Sequence, residues 1–280
     1  MTEISAALVK ALRDETNVGM MECKRALVEA GGDKERAVKL LRERGVAIAA
    51  KKASRAAKQG VIASALAPDG SAGSLIEVNC ETDFVAKNPG FRAFVQSLAE
   101  QAAASDADLA QASRDAVTAK ITETGENIVV RRVLRYARQG AGRVTSYIHH
   151  GSTVGVLLEA GCQKPETADH PAFLETVKDL CLQVAAANPR FLDRAAVPAE
   201  TLAAERAIFA EQVKGKPAAI VDKIVAGKIE KFYEQECLVN QAFIKDPTQT
   251  VTAMLKQKGG QAGDTFTVRR FARFQIGESA

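Results

Sequence analysis

Apolar positions at spacings of three and four residues predict helices at the start of the chain. In the second of three predicted helices these positions are Met20, Cys23, Leu27 and Ala30. The "GGD" at 31–33 ends that helix and caps the next one, which we expect to end at Gly45. Residues 1–45 are therefore predicted to form a compact three-helix module, and 46–58, rich in Ala and Lys, a linker with some helical character.

Alternating apolar residues then predict two β-hairpins, at 61–78 and 144–160, each followed by an amphipathic helix. The apolar face of the first of these helices consists of Phe91, Phe94, Val95, Leu98 and Ala102. The two hairpin-and-helix segments also resemble each other residue by residue, which indicates an internal repeat. At an offset of 82 residues the matched pairs are Cys80 with Cys162, Phe91 with Phe173, Val95 with Val177, and Leu98 with Leu180.

A later match shows that the second copy is longer than the first. "GENIVVRRVLRYA" from Gly125 aligns with "GDTFTVRRFARFQ" from Gly263 at an offset of 138 residues. The difference between 138 and 82 corresponds to an insertion of 56 residues. Periodicity within it predicts one helix from about Ala199 to Val213, a break at 215–217, and a second helix from about Ala218 to Gln235.

These patterns together predict an α+β fold, in which a small three-helix N-terminal module precedes a duplicated α+β core with an inserted helical hairpin. The predicted ranges are 1–45 for the module, 46–58 for the linker, 59–140 for the first repeat, 141–187 and 250–280 for the second repeat, and 188–249 for the hairpin.

The charge distribution changes this picture little. The net charge is +4, and residues 1–58 carry 13 Lys and Arg against 8 Asp and Glu, so the remaining chain is nearly neutral. A protein whose main affinity is for phosphate backbones is usually more basic. The pairs Arg131–Arg132 and Arg269–Arg270 are interpreted as a solvated strand face, because no exposed aromatic residues accompany them. Nucleic acid is thus not the expected partner, although an RNA- or ribosome-binding role of the basic module is kept as an alternative.

Candidate chemistry is scarce. The five cysteines form no C-x-x-C pair and the three histidines have no zinc-ligand spacing, so we expect reduced, buried thiols and neither metal nor cofactor. No catalytic motif is present, so we do not expect the protein to be an enzyme. The chain has no signal-peptide pattern and no apolar run of bilayer length, which predicts a soluble, cytoplasmic protein without a membrane partner.

Two local features suggest contact with another macromolecule. The second repeat has Glu166 where the first has Phe84, so Phe84 is not needed for the core of the repeat. We therefore expect Phe84 to be exposed in a loop between strand and helix, with Thr82 or Asp83 capping a short turn. Of Met20 and Met21, at least one is expected to face the core, and the other to be exposed.

Three segments resemble one known family. "TDFVAKN" at 82–88, "TNVGMMECKRAL" at 16–27 and "SYIHHG" at 146–151 resemble the bacterial elongation factor Ts family, the guanine nucleotide exchange factors of elongation factor Tu. The resemblance extends over nearly the whole chain, with the modules in the same order. It implies a ubiquitin-associated-like fold for the N-terminal module, a role as an exchange factor in translation elongation, and elongation factor Tu as the partner.

The resemblance also implies site residues. Arg13, Met20 and Met21 would contact the GTPase, and Gly125 and His149 would line the same surface, although the neighbouring His150 leaves the choice of histidine open. The segment that displaces Mg²⁺ from the GTPase would consist of Thr82, Asp83, Phe84 and Val85, with Phe84 wedged between partner helices. The inserted hairpin would contact the partner or support self-association, which leaves a homodimer or a 2:2 complex as alternatives.

Overall fold

A computed structural model describes residues 4–215 and 217–278 of the chain. Helices and strands are mixed along it, which confirms the predicted α+β class. The predicted boundaries at residues 1 and 280, and Lys216 in the predicted break, lie outside the described residues. The module ranges and the ubiquitin-associated-like character of the first module stay predictions.

The helices and strands have the following bounds. They are α1 (Ala6–Thr16), α2 (Met20–Glu29), α3 (Lys34–Lys52), β1 (Gln59–Leu66), β2 (Ala72–Cys80), α4 (Asp83–Lys87), α5 (Pro89–Ala104), α6 (Leu109–Ala112), α7 (Arg114–Thr124), β3 (Val129–Ala137), β4 (Gly142–Ile148), β5 (Val154–Gly161), α8 (Pro171–Ala187), α9 (Ala199–Gln212), α10 (Ala218–Glu236), β6 (Ala242–Phe243), β7 (Asp246–Thr250), α11 (Val251–Gln261) and β8 (Thr267–Gln275). Short 3-10 helices occur at Pro165–Asp169 and Leu238–Asn240.

The described residues divide into two compact units. The first comprises those of Met1–Ala63, Ile76–Leu134 and Gln275–Ala280, and the second comprises Ser64–Leu75 and Arg135–Phe274. Three sheets are formed, with the strand orders β1-β2-β3, β4-β5-β8 and β6-β7. β4 and β5 pair antiparallel with Tyr147 opposite Val156, which confirms the predicted hairpin at 144–160.

Helices α1, α2 and α3 open the first unit around a common apolar cluster. The cluster consists of Val9, Leu12, Val18, Cys23, Ala26, Leu27, Ala30, Ala37 and Leu41. Ser5 caps α1 by accepting a hydrogen bond from the backbone N–H of Leu8. The predicted cap at Asp33 is confirmed, because its carboxylate accepts from the backbone N–H of Arg36.

The expected end of α3 at Gly45 is wrong, since the helix continues to Lys52. Glycine at this position permits a close helix contact instead of a helix end. A Cβ at Gly45 would lie 2.8 Å from Oγ1 of Thr122 on α7, closer than such contacts occur. The helical character expected in 46–58 is thus present as far as Lys52. Helix α3 packs against α7 within the first unit.

The internal repeat is visible in the burial pattern. Both members of every matched pair are buried, namely Cys80 and Cys162, Phe91 and Phe173, Val95 and Val177, and Leu98 and Leu180. Helices α5 and α8 also start alike, each with Pro at its first position. The preceding residue caps each helix from its side chain, Asn88 for α5 and His170 for α8. Equivalent residues thus have equivalent structural roles in both copies.

The interpretation of the arginine pairs as a solvated face is wrong for three of the four residues. Nε of Arg132 lies 2.5 Å from the carboxylate of Glu77. In the second copy, Arg269 and Arg270 lie 3.2 Å and 2.7 Å from the carboxylate of Glu159. Both glutamates are fully buried. A buried carboxylate is tolerated only with a counter-charge, and the arginines of β3 and β8 provide it.

The inserted hairpin follows the prediction closely. Helices α9 and α10 begin at Ala199 and Ala218, as expected, and each ends within one residue of the expected position. At the base of the hairpin, Phe191 and Cys237 form a β-bridge, and Cys237 is buried with Val197 and Phe232. Helix α9 has no fully buried residue, although Leu202 and Phe209 pack in part against this cluster.

The five cysteines are free and buried, which confirms the expectation of unpaired interior thiols. Burial raises the pKa of Cys80 and Cys181 to about 12, so both thiols stay protonated at neutral pH. Throughout residues 4–215 and 217–278, no helix combines the length and the apolar character that crossing a membrane requires.

Candidate partner-binding surface

Phe84 is the most exposed large apolar side chain among the described residues, with 82% of its surface accessible. The prediction of an exposed Phe84 is confirmed, but it lies on the short helix α4 and not in a loop. The hydroxyl of Thr82 caps this helix by accepting from the backbone N–H of Val85, 3.3 Å away. Thr82 is therefore the cap that the sequence left undecided between Thr82 and Asp83.

Helix α4 is short because the chain beyond it starts another helix. The side chain of Asn88 accepts from the backbone N–H groups of Gly90 and Phe91, and Pro89 takes the first position of α5. Within α4 only Ala86 is buried. One turn of helix is thus fixed at both ends, with its apolar anchor at Ala86 and Phe84 facing solvent.

Asp83 and Lys87 form an ion pair along the exposed side of α4, with 2.6 Å between Nζ and Oδ2. The hydrogen bond from Lys87 lowers the pKa of the Asp83 carboxyl, so Asp83 is charged at neutral pH. A negative charge therefore stands beside Phe84, at the helix end where the helix dipole favours it.

The segment Thr82–Val85 is attached to a carboxylate that the sequence analysis did not identify, Glu126. Its Oε2 accepts from the backbone N–H groups of Glu81 and Thr82, each at 3.0 Å, and its Oε1 accepts from the Thr82 hydroxyl at 2.5 Å. The signal that could have found it is the acidic residue after glycine in both "GEN" and "GDT". Glu126 and its equivalent Asp264 occupy that position.

Gly125, one of the implied contact residues, ends α7 in the left-handed conformation with φ of 73°. Glycine is favoured there because other residues are strained at positive φ. A Cβ at this position would meet no other atom within 4 Å, so the backbone faces open space. Its carbonyl accepts a hydrogen bond from Lys52, near the end of α3.

Met20 and Met21 begin α2, and both side chains are exposed, at 52% and 67%. The expectation that at least one faces the core is wrong. Val18, just before the helix, fills the core position, and Cys23 is the first residue of α2 that is buried. The two methionines form a pliable apolar surface instead.

The remaining implied contacts are also exposed. Arg13 lies in the last turn of α1. His149 follows β4, and its Nδ1 lies 3.0 Å from the hydroxyl of Tyr147. His150 is exposed as well, so exposure does not decide between the two histidines.

The first unit contains most of the implied site residues, and His149 belongs to the second. In the first unit, the turn 124–127 brings Gly125 next to Thr82, because Glu126 holds the backbone that precedes Phe84. Among the described residues no cluster of His, Cys, Asp or Glu is arranged to hold a metal ion. Phe84, Met20, Met21, Arg13 and His149 are exposed side chains of the kind that contact other macromolecules.

Comparison with known proteins agrees with this arrangement. A model of the family described as elongation factor TS matches residues 81–278. The chain belongs to the elongation factor Ts family. An elongation factor Ts of Clostridium botulinum (strain Eklund 17B / Type B) is 42% identical over 288 aligned positions, which cover 98% of this chain and 93% of that protein. Those of Clostridium perfringens (strain SM101 / Type A) and of a Nitratiruptor species are each 41% identical, with the same coverage.

Membership makes the chain a translation elongation factor, and the exchange of nucleotide on elongation factor Tu follows from the family. The resemblance seen in three short segments is thus confirmed over almost the full length. Family membership assigns no role to individual residues. Phe84, the most exposed large apolar side chain among the described residues, is the first for which we propose one.

Proposed function

We propose that the chain promotes GDP release from elongation factor Tu by inserting Phe84 between helices of the GTPase and displacing Mg²⁺ from its nucleotide site. The observation that carries this proposal is the exposure of Phe84 on helix α4. Thr82 caps this helix at its start, and Asn88 and Pro89 begin the next helix directly after it. Burying a phenylalanine side chain contributes about 1.5–3 kcal/mol, which this chain forgoes in the free state. Insertion into the partner would recover that free energy.

The physical chemistry of the GTPase explains why a small displacement is enough. Mg²⁺ requires near-ideal octahedral geometry, and in P-loop GTPases it bridges protein and phosphate oxygens. Packed helices shift as rigid elements and do not deform smoothly, so a side chain driven between them moves metal ligands. Losing the ion weakens GDP binding. By linkage, nucleotide weakens the binding of the factor to the same extent, so GTP can displace it.

The other implied residues are proposed as contacts that hold the complex together. Arg13, Met20 and Met21 would dock on the GTPase from the three-helix module, and Gly125 and His149 would contact it from their respective units. Asp83, charged beside Phe84, would act with it in the displacement of Mg²⁺, and Thr82 and Val85 would form the turn that presents them. No chemical reaction by this chain is proposed, and a cytoplasmic location stays a prediction.

Stopped-flow release of a fluorescent GDP analogue from elongation factor Tu tests the proposal. The wild-type chain should accelerate release strongly, and Phe84→Ala should lower the maximal rate by about tenfold or more, as expected for losing the burial of one aromatic ring. Ile208→Ala removes another exposed apolar side chain, on α9, and should leave the maximal rate unchanged.

Chelation of Mg²⁺ in the same assay tests whether Phe84 acts by displacing the ion. EDTA raises the spontaneous rate of release, so the difference between wild type and Phe84→Ala should shrink if Phe84 acts by displacing the ion. A Phe84→Ala variant that releases GDP as fast as wild type would overturn the wedge. A difference that persists in EDTA would overturn the displacement of Mg²⁺ as its means.

A further inference from the structure

The side chain of Glu126 accepts three hydrogen bonds, all from two consecutive residues of the first unit. It accepts from the backbone N–H groups of Glu81 and Thr82 and from the hydroxyl of Thr82. Hydrogen bonds to a charged acceptor are among the stronger ones in proteins. The carboxylate thus fixes the backbone immediately before Phe84.

The hydroxyl of Thr82 connects Glu126 to helix α4. Its proton is donated to Glu126, which leaves an oxygen lone pair free to accept from the N–H of Val85. A helix of five residues is too short to be stable by itself. The cap, which Glu126 contacts, is therefore one of the interactions that set the direction of Phe84, together with the burial of Ala86.

Glu126 lies in the turn 124–127, which hydrogen bonds of the next residue hold in place. The backbone N–H of the next residue, Asn127, donates to the carboxylate of Glu81 at 2.7 Å. The buried side chain of Asn127 donates to the carbonyl of Arg55 at 2.8 Å, just beyond α3. These bonds attach the turn on both sides, so little movement of Glu126 is available.

The second repeat has the same arrangement, in which a carboxylate accepts hydrogen bonds from two consecutive backbone N–H groups, but it lacks the aromatic residue. We call this arrangement the carboxylate bracket. Asp264, the equivalent of Glu126, accepts from the backbone N–H groups of Gln163 and Lys164, each at 3.0 Å. The residue that replaces Phe84 there is Glu166, on a 3-10 helix. The carboxylate bracket is thus part of the repeat, and only the first copy places an exposed phenylalanine next to it.

We propose that Glu126 is a positioning residue for nucleotide exchange: it holds the Thr82 cap and thereby fixes helix α4 so that Phe84 is presented to the GTPase. The inference rests on the proposed function of Phe84. It predicts that removing the carboxylate lowers the exchange rate through Phe84 and not through loss of the fold.

Stopped-flow release of the GDP analogue is measured with full-length variants over a range of factor concentrations. Glu126→Ala should lower the maximal rate by about tenfold, equivalent to about 1.4 kcal/mol, with a smaller change in the half-saturating concentration. Glu126→Gln should keep most of the wild-type rate, because its amide oxygen can still accept from both backbone N–H groups and its amide N–H can donate to the Thr82 hydroxyl, whose oxygen can also accept from Val85. Thr82→Val removes the other partner of the same hydrogen bond and should also slow release.

Asp264→Ala is the matched control. It breaks the equivalent carboxylate bracket in the second repeat and should lower the thermal midpoint by about as much as Glu126→Ala, yet leave the maximal rate unchanged. The double variant Phe84→Ala/Glu126→Ala should release GDP no more slowly than Phe84→Ala alone, since both changes remove the same interaction. A wild-type maximal rate in Glu126→Ala, or full additivity in the double variant, would overturn the inference.

Amide hydrogen exchange of the free protein separates this inference from the proposed function. Glu126→Ala should speed the exchange of the amide hydrogens of Thr82 and Val85, whereas unchanged protection would overturn the positioning step. If Phe84→Ala alone releases GDP at the wild-type rate, the proposed function fails instead. The two failures therefore have different signatures.

Discussion

At the scale of single residues, the exposure of Phe84 could be predicted from the sequence, but the exposure of both methionines could not. The exposure of Phe84 could be predicted because the second repeat supplies a comparison, and Glu166 at the equivalent position shows that no core contact is required there. The exposure of both Met20 and Met21 could not, because helical spacing does not reveal which residue fills the core ahead of the helix. Val18 does so, and the methionines are left outside.

Truncation of either methionine should therefore affect binding and not folding. Because both side chains are exposed, Met20→Ala and Met21→Ala should change the free energy of unfolding by no more than about 0.5 kcal/mol. If they are anchors on elongation factor Tu, the half-saturating concentration in the release assay should rise by about tenfold, with the maximal rate retained. Val28→Ala, an exposed apolar residue on the same helix outside the proposed contacts, is the control. Equal effects of all three changes would contradict the assignment.

Gly45 makes a second prediction at this scale. Replacing glycine by alanine within a helix ordinarily stabilises it by about 1 kcal/mol. At Gly45 the new methyl group would press on the Thr122 hydroxyl, which donates to the carbonyl of Thr118 at 2.9 Å. Gly45→Ala should therefore destabilise the protein, by about 1–3 kcal/mol as for other overpacked sites.

Urea unfolding against Gly227→Ala measures this effect. Gly227 lies in α10, and a Cβ there meets no other atom within 4 Å, so its replacement by alanine should be neutral or stabilising. Adding Thr122→Ala should rescue Gly45→Ala by removing the hydroxyl. The same stabilisation at both glycines would show that α3 and α7 do not approach as closely as described.

At the scale of secondary-structure elements, the repeat gave the sequence its strongest predictive power. Outside the repeat, helical spacing of apolar residues located both helices of the inserted hairpin. The buried Glu77 and Glu159 escaped prediction, because their arginine partners lie more than fifty residues away along the chain. The acidic residue after glycine in both repeats marks the position of Glu126, but its partner Thr82 lies 44 residues away and could not be inferred. Periodicity reports the face of an element and not its polar partners.

The buried pairs predict unequal effects in the two copies. Arg132→Ala leaves Glu77 without the arginine that pairs with it, whereas Arg270→Ala leaves Glu159 paired with Arg269. Leaving a buried charge unpaired typically costs about 3–5 kcal/mol, so Arg132→Ala should be severely destabilising and Arg270→Ala clearly less so. Urea unfolding of both variants measures the difference. Arg132→Ala/Glu77→Gln should recover part of the loss, and equal destabilisation by the two single changes would contradict the argument.

At the scale of the whole molecule, the modest net charge and the family assignment favour a protein partner over RNA. The basic excess lies in residues 1–58, which also contain Arg13, Met20 and Met21. The same surface would serve either partner, and salt dependence separates the two. RNA binding would weaken steeply with salt, since each phosphate contact releases counterions. The affinity for a protein partner that docks on the methionine side chains would depend little on the salt concentration.

The inserted hairpin gives the prediction that concerns the molecule as a whole. Its base is held by the Phe191–Cys237 bridge and by the burial of Phe232 and Cys237, so a cut above this base removes few buried groups. Replacing residues 206–226 by a short Gly-Ser turn should therefore leave a cooperatively folded protein. Phe84 and Glu126 belong to the first unit and the hairpin to the second, so the maximal rate of GDP release should stay within about twofold of wild type, as for independent sites.

The shortened protein also decides between the two roles left open for the hairpin. Light scattering reports the mass of the free factor, and the release assay reports its half-saturating concentration. Fewer subunits per particle than in wild type, after allowing for the residues removed, would assign the hairpin to self-association. A higher half-saturating concentration at an unchanged number of subunits would assign it to contact with the GTPase. A maximal rate as low as that of Phe84→Ala would contradict the division of roles proposed here, because exchange would then need the hairpin as much as the phenylalanine. The shortened protein with Glu126→Ala completes the test, since its maximal rate should equal that of Glu126→Ala alone.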